Sequence, residues 1–464
     1  MSINLQTAHF VVIGAGETGR SIINYLNYHQ AKLLHVLDTR ITPPQIAGVD
    51  VIGGALSYAN LAAADVIVIS PGVSIYEPVL QQALSAGKQV VGDIELFAQA
   101  IQAWPSKVIA ISGSNGKTTV TSLTGFLAES AGISTLVAGN IGTPVLEAWI
   151  LAEQRQQYPE LIVLELSSFQ LEVTYSLQCV SSTVLNISED HLDRYATLID
   201  YAAAKARIFR HTQNQGIQVL NRDDSLVSNM AFVDRKQFSF GLDKSLTKTS
   251  FGLLYEENGE AWLTEGDIRL MKLSELPLAG LHNAANALAA LAMCRALDIA
   301  IDPLVSALRE FRGLPHRMEK VVTINGVTFY DDSKATNVGS TIAALTGRNG
   351  NAVLIAGGEG KGQDFSHLKS AVAGGARAVI LIGRDAEIIA NALEGSGVPM
   401  YFSTTLQDAV QKSFLLSQKD DVVLLSPACA SFDMFDNYEH RAHVFCDAVH
   451  KLALSVGVDL EGPV

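Results

Sequence analysis

A glycine-rich segment in the first third of the chain constrains its fold more than any other feature. Residues 113–119 read Gly-Ser-Asn-Gly-Lys-Thr-Thr, after an apolar run at 108–111 and before a helical pattern. Glycines let backbone N–H groups converge on phosphate oxygens, while the helix N-terminus and Lys117 add positive charge. The hydroxyl of Thr118 can hold Mg²⁺. The segment predicts a nucleoside triphosphate site, in a loop shortened by Ile111 where the usual pattern has glycine.

Composition limits the kind of ligand and the number of domains. A chain of 464 residues is long for one core, and suggests about three domains. The formal net charge of −14 argues against a general binder of nucleic acid or membrane surfaces. An anionic ligand must therefore meet positive groups focused in one place.

Cysteine spacing and the lack of long apolar runs indicate the compartment. Four cysteines, at positions 179, 294, 429 and 446, have no zinc or redox spacing and suit a reducing environment. The first residues show no signal-type pattern, and no apolar run approaches the roughly 20 residues of a membrane span. We expect a soluble cytoplasmic protein, and a monomer because no assembly motif is evident.

Short Val/Ile-rich strands alternate with helical segments along the whole chain, which predicts an α/β fold in three domains. The domains are predicted at 1–95, 96–313 and 314–464. The first has strands at 10–13, 33–37 and 65–69. The predicted strands of the other two lie at 108–111, 133–138, 161–166, 182–187, 217–220, 237–240, 327–331, 352–356, 378–382, 399–402 and 422–426, with a core helix at 283–297.

A second glycine pattern, Gly14-x-Gly16-x-x-Gly19, follows the first strand, and Asp38 ends the next one. This arrangement is typical of dinucleotide sites, so an NAD-dependent oxidoreductase is one interpretation. The same pattern also serves tight strand-to-helix packing. About 95 residues is short for two mononucleotide halves, and half a site suits one nucleotide diphosphate. Glu17 within the loop would repel a diphosphate unless its side chain points away.

Three ionisable groups lie where a metal or phosphate could use them. Glu165 ends an apolar strand, where a buried carboxylate needs a partner such as Mg²⁺ or a hydrogen-bond donor. His191 lies in the loop 186–194 after another strand, which makes it a ligand candidate. Lys205 lies among alanines in a helical stretch, and its spacing alone favours a solvated helix lysine.

Eight motifs occur in an order that resembles the Mur ligases across essentially the whole chain. The resemblance is greatest to the members that add D-glutamate to UDP-N-acetylmuramoyl-L-alanine. It implies a Rossmann-like UDP-binding domain, a central P-loop ATPase-like domain and a Rossmann-like C-terminal domain. The motifs begin at Gly113, Glu165, Asn186, Tyr201, Gly280, Leu314, Asp331 and Ser426.

The resemblance implies an ATP site with two Mg²⁺ ions. Lys117, His191 and Lys205 would be catalytic, with Lys205 carbamylated by CO₂ so that it becomes a metal ligand. Thr118 and Glu165 would hold one Mg²⁺, and His191 the second. The residues implied to contact ATP are Gly113, Ser114, Asn115, Gly116, Lys117, Thr118, Thr119, Asn283, Asn286, Arg317 and Asp332.

The resemblance also implies where the other two substrates bind. The UDP substrate would meet Thr18, Asp38, Thr39, Arg40, Gly72 and Asn140. D-Glutamate would meet Lys334, Thr336, Lys361, Ser431, Phe432 and Tyr438. Cations and amide donors among these residues suit the two carboxylates of a glutamate.

The implied reaction is ATP-dependent amide formation through an acyl phosphate. A different amino acid, or a folylpolyglutamate-type substrate, is an alternative within the same class. No Asp-Asn-Pro motif occurs in the third domain, which argues against relatives that add diaminopimelate or lysine. The NAD oxidoreductase would leave the phosphate loop without a role. A binding module gated by ATP is the remaining alternative.

Overall fold

The structure is a computed structural model that describes residues 3–191 and 194–458. Within these residues the strands form three sheets, of five, nine and six strands, and helices connect most of the parallel strands. This arrangement confirms the predicted α/β class. The predicted outer limits of the first and third domains, residues 1 and 464, lie outside the described residues.

The first sheet is parallel throughout, with strand order β3-β2-β1-β4-β5. Its central strand β1 is buried at residues 10–13, as expected for a parallel strand covered on both faces. The short strands β3 and β5 were not predicted. The elements are β1 (His9–Ile13), α1 (Glu17–Tyr28), β2 (Lys32–Asp38), β3 (Val51–Gly53), α2 (Tyr58–Leu61), β4 (Val66–Ile69), α3 (Pro78–Ser85), β5 (Gln89–Val91) and α4 (Asp93–Ala100).

The central sheet has the order β14-β13-β12-β11-β10-β9-β6-β8-β7. Its strands are β6 (Lys107–Ser112), β7 (Thr135–Gly139), β8 (Leu161–Glu165), β9 (Cys179–Val184), β10 (Thr212–Asn221), β11 (Lys236–Phe240), β12 (Ser250–Tyr255), β13 (Ala261–Glu265) and β14 (Ile268–Lys272). Its helices are α5 (Lys117–Ser130), α6 (Val145–Arg155), α7 (Ser168–Glu172), α8 (Leu198–Ala206), α9 (Ser225–Ser228), α10 (Leu281–Arg295) and α11 (Ile301–Leu308).

Strand order places the carboxyl ends of β6, β8 and β9 side by side. Ligands of open α/β sheets bind at such an edge, at the point where the loops after neighbouring strands run to opposite faces of the sheet. The phosphate loop follows β6, Glu165 ends β8, and the loop containing His191 follows β9. The fold therefore brings the three predicted features to one edge of the sheet.

Two features of the central sheet differ from the sequence prediction. Strand β9 covers Cys179–Val184 instead of 182–187, because Ser181, Ser182 and Thr183 are buried in it despite their polarity. The antiparallel strands β12, β13 and β14 were missed. These strands follow one another without intervening helices, so they lack the strand–helix alternation that predicts the other strands.

The third sheet has the order β15-β16-β20-β17-β18-β19, with the unpredicted β15 antiparallel to β16 and the other pairings parallel. The elements are β15 (Glu319–Ile324), β16 (Val327–Asp331), α12 (Val338–Leu345), β17 (Ala352–Gly357), α13 (Leu368–Gly375), β18 (Ala376–Ile382), α14 (Ala386–Leu393), β19 (Met400–Phe402), α15 (Leu406–Leu416), β20 (Val422–Leu425) and α16 (Tyr438–Ser455). Among all described helices, none is both long and apolar enough to cross a membrane.

The turn from β1 to α1 depends on a close approach of two glycines. A Cβ on Gly19 would lie 1.8 Å from the carbonyl oxygen of Gly14, so only hydrogen fits there. Gly14 itself has φ of 101°, in the left-handed region that glycine adopts without strain. Packing alone thus explains two of the three fingerprint glycines, whatever ligand the turn meets.

We predict that Gly19→Ala destabilises the first domain by about 1–3 kcal/mol, because the new methyl group overlaps backbone that cannot move aside. The measurement is the thermal unfolding midpoint by circular dichroism. Gly16→Ala is the matched control, since a Cβ on Gly16 would meet no atom within 4 Å. Equal midpoints for the Gly19 variant and the wild type would contradict this account.

Candidate active site

The phosphate loop joins β6 to α5 and takes its shape from two glycines. Gly113 has φ of 150° and Gly116, at the start of the helix, has φ of 81°. A Cβ on Gly116 would lie 2.5 Å from Oδ1 of Asn286, so α10 packs directly against the loop. Ile111 is fully buried within β6, which explains why this position is part of the strand and not of the loop.

The loop after β9 holds the phosphate loop in place through paired hydrogen bonds. The backbone N–H of Asn115 donates to Oδ1 of Asn186 at 2.8 Å, and Nδ2 of Asn186 donates to the Asn115 carbonyl at 3.0 Å. The N–H of Ser188 donates to Oγ of Ser114 at 3.0 Å. These contacts fix the backbone whose N–H groups are expected to meet phosphate.

Lys117 lies in the first turn of α5 and turns back over the loop. Its Nζ donates to the carbonyls of Gly113 at 2.9 Å and Ser114 at 2.8 Å. Burial lowers the pKa of Lys117, and the carboxylates of Glu165 and Asp190 oppose that shift. The ammonium group is therefore held at the loop by neutral carbonyls, which an anionic phosphate would outcompete.

Glu165 supplies a buried carboxylate with one oxygen left over. Its side chain is 1% exposed, and Oε1 accepts a hydrogen bond from Nδ2 of Asn140 at 2.9 Å. Its Oε2 is buried with no hydrogen-bond partner. A buried carboxylate oxygen without a hydrogen bond is unfavourable unless a cation lies beside it. Mg²⁺ prefers such hard oxygen ligands. The donor set therefore fits a magnesium site beside the phosphate loop.

Lys205 is buried, not solvated, so the interpretation based on its spacing is wrong. Its side chain is 1% exposed, and Nζ lies 4.6 Å from the ring centroid of Tyr201. Burial, together with the charge of Lys117, lowers the pKa of Lys205 well below its usual value. Helix α8 turns this face inward because Tyr201 also packs against the loop after β9. The alanine-rich pattern did not reveal which face that would be.

The ring of His191 packs near the same tyrosine, 6.2 Å from Tyr201 between ring centroids. His191 has φ of 54°, and its ring lies 4.8 Å from that of Phe169. Its Nε2 is 3.7 Å from a carboxylate oxygen of Asp190. The structure thus places both His191 and Lys205 next to Tyr201.

A cavity of about 310 Å³ opens between the central and third domains, beside the phosphate loop. Its wall contains Asn283 and Asn286 of α10 and the first residues of α12. His282 adds an apolar side, because burial lowers its pKa to about 4 and keeps the ring neutral. Of the residues predicted to contact ATP, the wall includes Asn115, Gly116, Thr119, Asn283, Asn286, Arg317 and Asp332.

The third domain gives this cavity two cations, Arg317 and Lys334, and one carboxyl group, Asp332. Burial lowers the pKa of Arg317, while the carboxylates of Glu165 and Asp332 oppose the shift. Burial raises the pKa of Asp332 to about 7, although Ser426 Oγ donates to it at 2.8 Å. A hydrogen-bonding carboxyl beside a guanidinium can serve the hydroxyl and phosphate groups of a nucleotide.

In the first domain the predicted residues lie around the β1–α1 turn. The Asp38 carboxylate accepts from the N–H of Ala15 at 2.8 Å and from Nε of Arg40 at 2.7 Å. These bonds hold the pKa of Asp38 below its usual range. The guanidinium of Arg40 remains about half exposed, whereas Asp38 is buried. Thr18, Thr39 and Gly72 lie at least partly exposed at the same end of the sheet.

In the third domain the predicted residues form two cation–ring pairs. Nζ of Lys334 lies 3.7 Å from the ring centroid of Tyr438, and Nζ of Lys361 lies 5.7 Å from that of Phe432. Burial lowers the pKa of Lys334 to about 8. Thr336 is partly buried two residues beyond Lys334, and Ser431 is buried beside Phe432.

Three family models match the chain in succession. They are the N-terminal domain of MurD-like Mur ligases at residues 8–92, the Mur ligase middle domain at 111–294, and the Mur ligase glutamate ligase domain at 316–429. The chain belongs to the Mur ligase family. The predicted resemblance is confirmed over nearly its full length.

Curated relatives in this family share about half of their residues with the chain. The UDP-N-acetylmuramoylalanine–D-glutamate ligase of Nitrosomonas europaea is 52% identical, over 96% of this chain and 97% of the relative. The ligase of the same name from Methylobacillus flagellatus is also 52% identical, over 97% and 98%. That from Cupriavidus pinatubonensis is 44% identical, over 98% and 99%.

Solved Mur ligase structures share the fold at much lower identity. MurF from Acinetobacter baumannii is 18% identical with a TM-score of 0.62, over 96% of this chain and 91% of that one. MurF from Thermotoga maritima, in complex with ADP, is 17% identical with a TM-score of 0.61, over 98% and 97%. Both comparisons support the arrangement of three α/β domains.

The Mur ligase site also contains residues that the sequence analysis did not single out. Asn186 and Ser188 hold the phosphate loop, and Arg194 donates to the carbonyls of Pro71 at 2.9 Å and Val73 at 3.2 Å. Arg194 thus ties the central domain to the loop around Gly72. Asn186, Ser188 and Arg194 belong to the motif that pointed to His191, so the motif was the available signal.

We predict that Asn186→Ala weakens ADP binding about tenfold, because two hydrogen bonds that hold the phosphate loop are lost. Isothermal titration calorimetry with ADP measures the change. Asn229→Ala, an exposed asparagine of the same domain, is the control and should bind as the wild type does. An unchanged affinity in the Asn186 variant would show that the loop keeps its shape without this side chain.

Proposed function

We propose that the chain is an ATP-dependent ligase that adds D-glutamate to UDP-N-acetylmuramoylalanine, in the synthesis of peptidoglycan. This activity is the one named for curated relatives that match nearly the entire chain at 44–52% identity. The prediction of an amide-forming ligase is confirmed at the level of the family. One structural observation carries the proposal for this chain: four cations, one buried and three partly buried, converge where its domains meet.

The cations are Lys117 and Lys205 of the central domain and Arg317 and Lys334 of the third. Burial lowers the pKa of each. The charge of Arg317 lowers the pKa of Lys117 further, and the charge of Lys117 does the same to Lys205. A chain of net charge −14 has no general excess of positive charge to place there. Such a cluster is stabilised by a polyanion, and ATP with two carboxylate substrates supplies one.

ATP would lie with its phosphates on the loop 113–119 and its nucleoside in the cavity beside α10. Arg317 and Asp332 of the third domain would meet the phosphate and the ribose. Thr118 and the orphan oxygen of Glu165 would hold one Mg²⁺, and His191 with modified Lys205 a second. Bound Mg²⁺ would neutralise negative charge on the transferring phosphoryl group.

We propose that Lys205 is carbamylated, which its burial and its lowered pKa would favour. Only the neutral amine has the lone pair that attacks CO₂, so burial raises the reactive fraction at neutral pH. A bond forms between Nζ and the carbon of CO₂, and a proton leaves to solvent. The product carries a negative charge where the lysine carried a positive one. That charge would offset Lys117 and supply oxygen ligands for a cation.

Activation of the UDP substrate is the first step of the proposed reaction. The alanyl carboxylate would attack the γ-phosphate of ATP, forming an acyl phosphate and releasing ADP. Two anions meet in this step, and Lys117 reduces their repulsion. In the second step the D-glutamate amine attacks the acyl carbon and phosphate leaves. Holding three substrates in line could contribute up to about 7–11 kcal/mol.

The domains would divide the substrates among them. The UDP group would bind at Thr18, Asp38, Thr39, Arg40 and Gly72, with Asn140 reaching toward it while holding Glu165. D-Glutamate would bind in the third domain, with its two carboxylates near the two cation–ring pairs and with Thr336 and Ser431 also in contact with it.

We place the domain divisions at 95/96 and 313/314, the first of which falls within α4. We further propose a cytoplasmic monomer that binds neither nucleic acid nor membrane.

We predict that ADP release with UDP-N-acetylmuramoyl-L-alanine and ATP depends on D-glutamate. The rate should exceed that with L-glutamate, L-lysine or meso-diaminopimelate at least about a hundredfold, because an amino acid of other configuration or length cannot place its amine and two carboxylates on the same groups. A coupled assay of ADP measures the rates. Release with meso-diaminopimelate but not D-glutamate would overturn the assignment. NAD binding without binding of the UDP substrate would favour the oxidoreductase.

We predict that Lys205→Ala lowers kcat more than about a hundredfold and that added acetate or propionate partly restores it. A small carboxylate can occupy the place of the carbamate, and Lys236→Ala, an exposed lysine, should change nothing. Carbon-13 NMR of the wild type under ¹³CO₂ should show a carbamate signal that the variant lacks. Full activity in the Lys205 variant would exclude the carbamate role.

A further inference from the structure

The start of helix α12 in the third domain is hydrogen-bonded to the side chain of the phosphate loop residue Asn115. Oδ1 of Asn115 accepts from Nδ2 of Asn337 at 3.0 Å and lies 2.7 Å from Oγ of Ser340. Nδ2 of Asn115 donates to Oγ of Ser188, at 3.1 Å, in the loop after β9. One amide therefore joins three segments from two domains.

The third-domain partners are also held by hydrogen bonds within their own helix. Oδ1 of Asn337 caps α12, accepting from the N–H of Ser340 at 2.9 Å. The Ser340 hydroxyl has one proton and two acceptors in range, and its distance to Asn115 is shorter than the 3.0 Å to Asn337. The cap thus orients both donors toward Asn115 without further ordering of side chains.

Gly339 lets the two domains approach this closely. A Cβ at this position would lie 2.8 Å from Oγ of Ser188 and 3.0 Å from Nδ2 of Asn115. Gly339 lies in the first turn of α12, and its backbone is not in the left-handed region. Glycine is generally unfavourable inside a helix, by about 1 kcal/mol relative to alanine. The close contact with Ser188 and Asn115 explains why glycine and not alanine occupies this helical position.

The same stretch of chain carries the proposed ligand contacts of the third domain. Asp332 and Lys334 precede α12 directly, and the wall of the nucleotide cavity contains both, together with Gly339 and Ser340. The N–H of Val338 also donates a hydrogen bond to Oε1 of Gln363 at 3.0 Å, which restrains this segment. Segment 332–340 is therefore one ordered unit between the amino-acid site and the phosphate loop.

We propose that Asn115 is a positioning residue through which docking of the third domain sets the phosphate loop. When the amino-acid-binding segment docks, Asn337 and Ser340 hold the Asn115 amide, and Asn186 fixes its backbone from the other side. The N–H groups of the loop then face the phosphates in their working orientation. This inference rests on the proposed function, since it assigns the docking event to binding of the amino acid and ATP.

A double-mutant cycle tests whether Asn115 and Ser340 act as one unit. Ser340→Ala and Asn115→Ala should each lower kcat about five- to tenfold, as expected for loss of one useful hydrogen bond. The double variant should fall no more than about twofold below the weaker single variant. Thr346→Ala, a hydroxyl at the other end of α12 that donates to the Ile342 carbonyl at 2.9 Å, is the control.

The Michaelis constants separate positioning from general structural damage. Ser340→Ala should raise KM for D-glutamate, while KM for the UDP substrate, bound in the first domain, stays within about twofold. A merely structural role would lower the active fraction and leave both constants unchanged. Multiplicative effects in the double variant, or equal changes of both constants, would overturn the proposal.

Gly339→Ala tests the close approach without weakening the helix. Alanine should raise or preserve the thermal unfolding midpoint, and yet lower kcat at least about tenfold, because its methyl group overlaps Ser188. Gly374→Ala in α13 is the matched control, since a Cβ there would meet no atom within 4 Å. Wild-type kcat in the Gly339 variant would contradict the proposed docking.

Small-angle scattering separates failure of this inference from failure of the proposed function. Wild-type protein with a non-hydrolysable ATP analogue and D-glutamate should become more compact, and Gly339→Ala should not. If the wild type lacks D-glutamate-dependent ADP release, the proposed function fails, whatever the scattering shows. If the wild type is active and both proteins compact equally, the coupling through Asn115 is wrong.

Discussion

The crowding of positive charge beside the phosphate loop is the constraint on which the rest of the structure depends. Lys117, Lys205 and Arg317 lose hydration there, and their lowered pKa values express that cost. Glu165 and Asp190 offset part of it. Bound anions would offset more of it. An acidic protein can thus attract polyanions at one place and repel them elsewhere.

Strand topology determines which side chains share that place. The phosphate loop, Glu165 and the loop 186–191 follow neighbouring strands of one sheet, so their separation in sequence has no bearing on their distance in space. Polar groups of the site also bind one another: Lys117 donates to loop carbonyls, and Asn140 donates to Glu165. Such contacts keep the geometry while leaving each group available to a stronger, charged partner.

The sequence predicted the α/β class, the phosphate loop and the family, because each leaves a local pattern of glycines or alternating apolar runs. It did not predict β12, β13 and β14, whose meander lacks helices. It misjudged Lys205, since an alanine-rich helix gives no sign of which face packs inward. Contacts between domains, such as those of Arg194 with residues 71 and 73, depend on docking geometry and not on local pattern.

Docking of the third domain and completion of the phosphate site are physically one event in this architecture. Arg317 comes from the third domain, yet its charge is felt by Lys117 in the central one. Bringing two cations together is unfavourable unless an anion lies between them, so a bound nucleotide would stabilise the docked arrangement. The hydrogen bonds of Asn115 also fix the orientation of the two domains, because a hydrogen bond requires donor and acceptor to be aligned whereas attraction between charges does not. In the proposed reaction, such docking would keep water away from the reactive acyl phosphate.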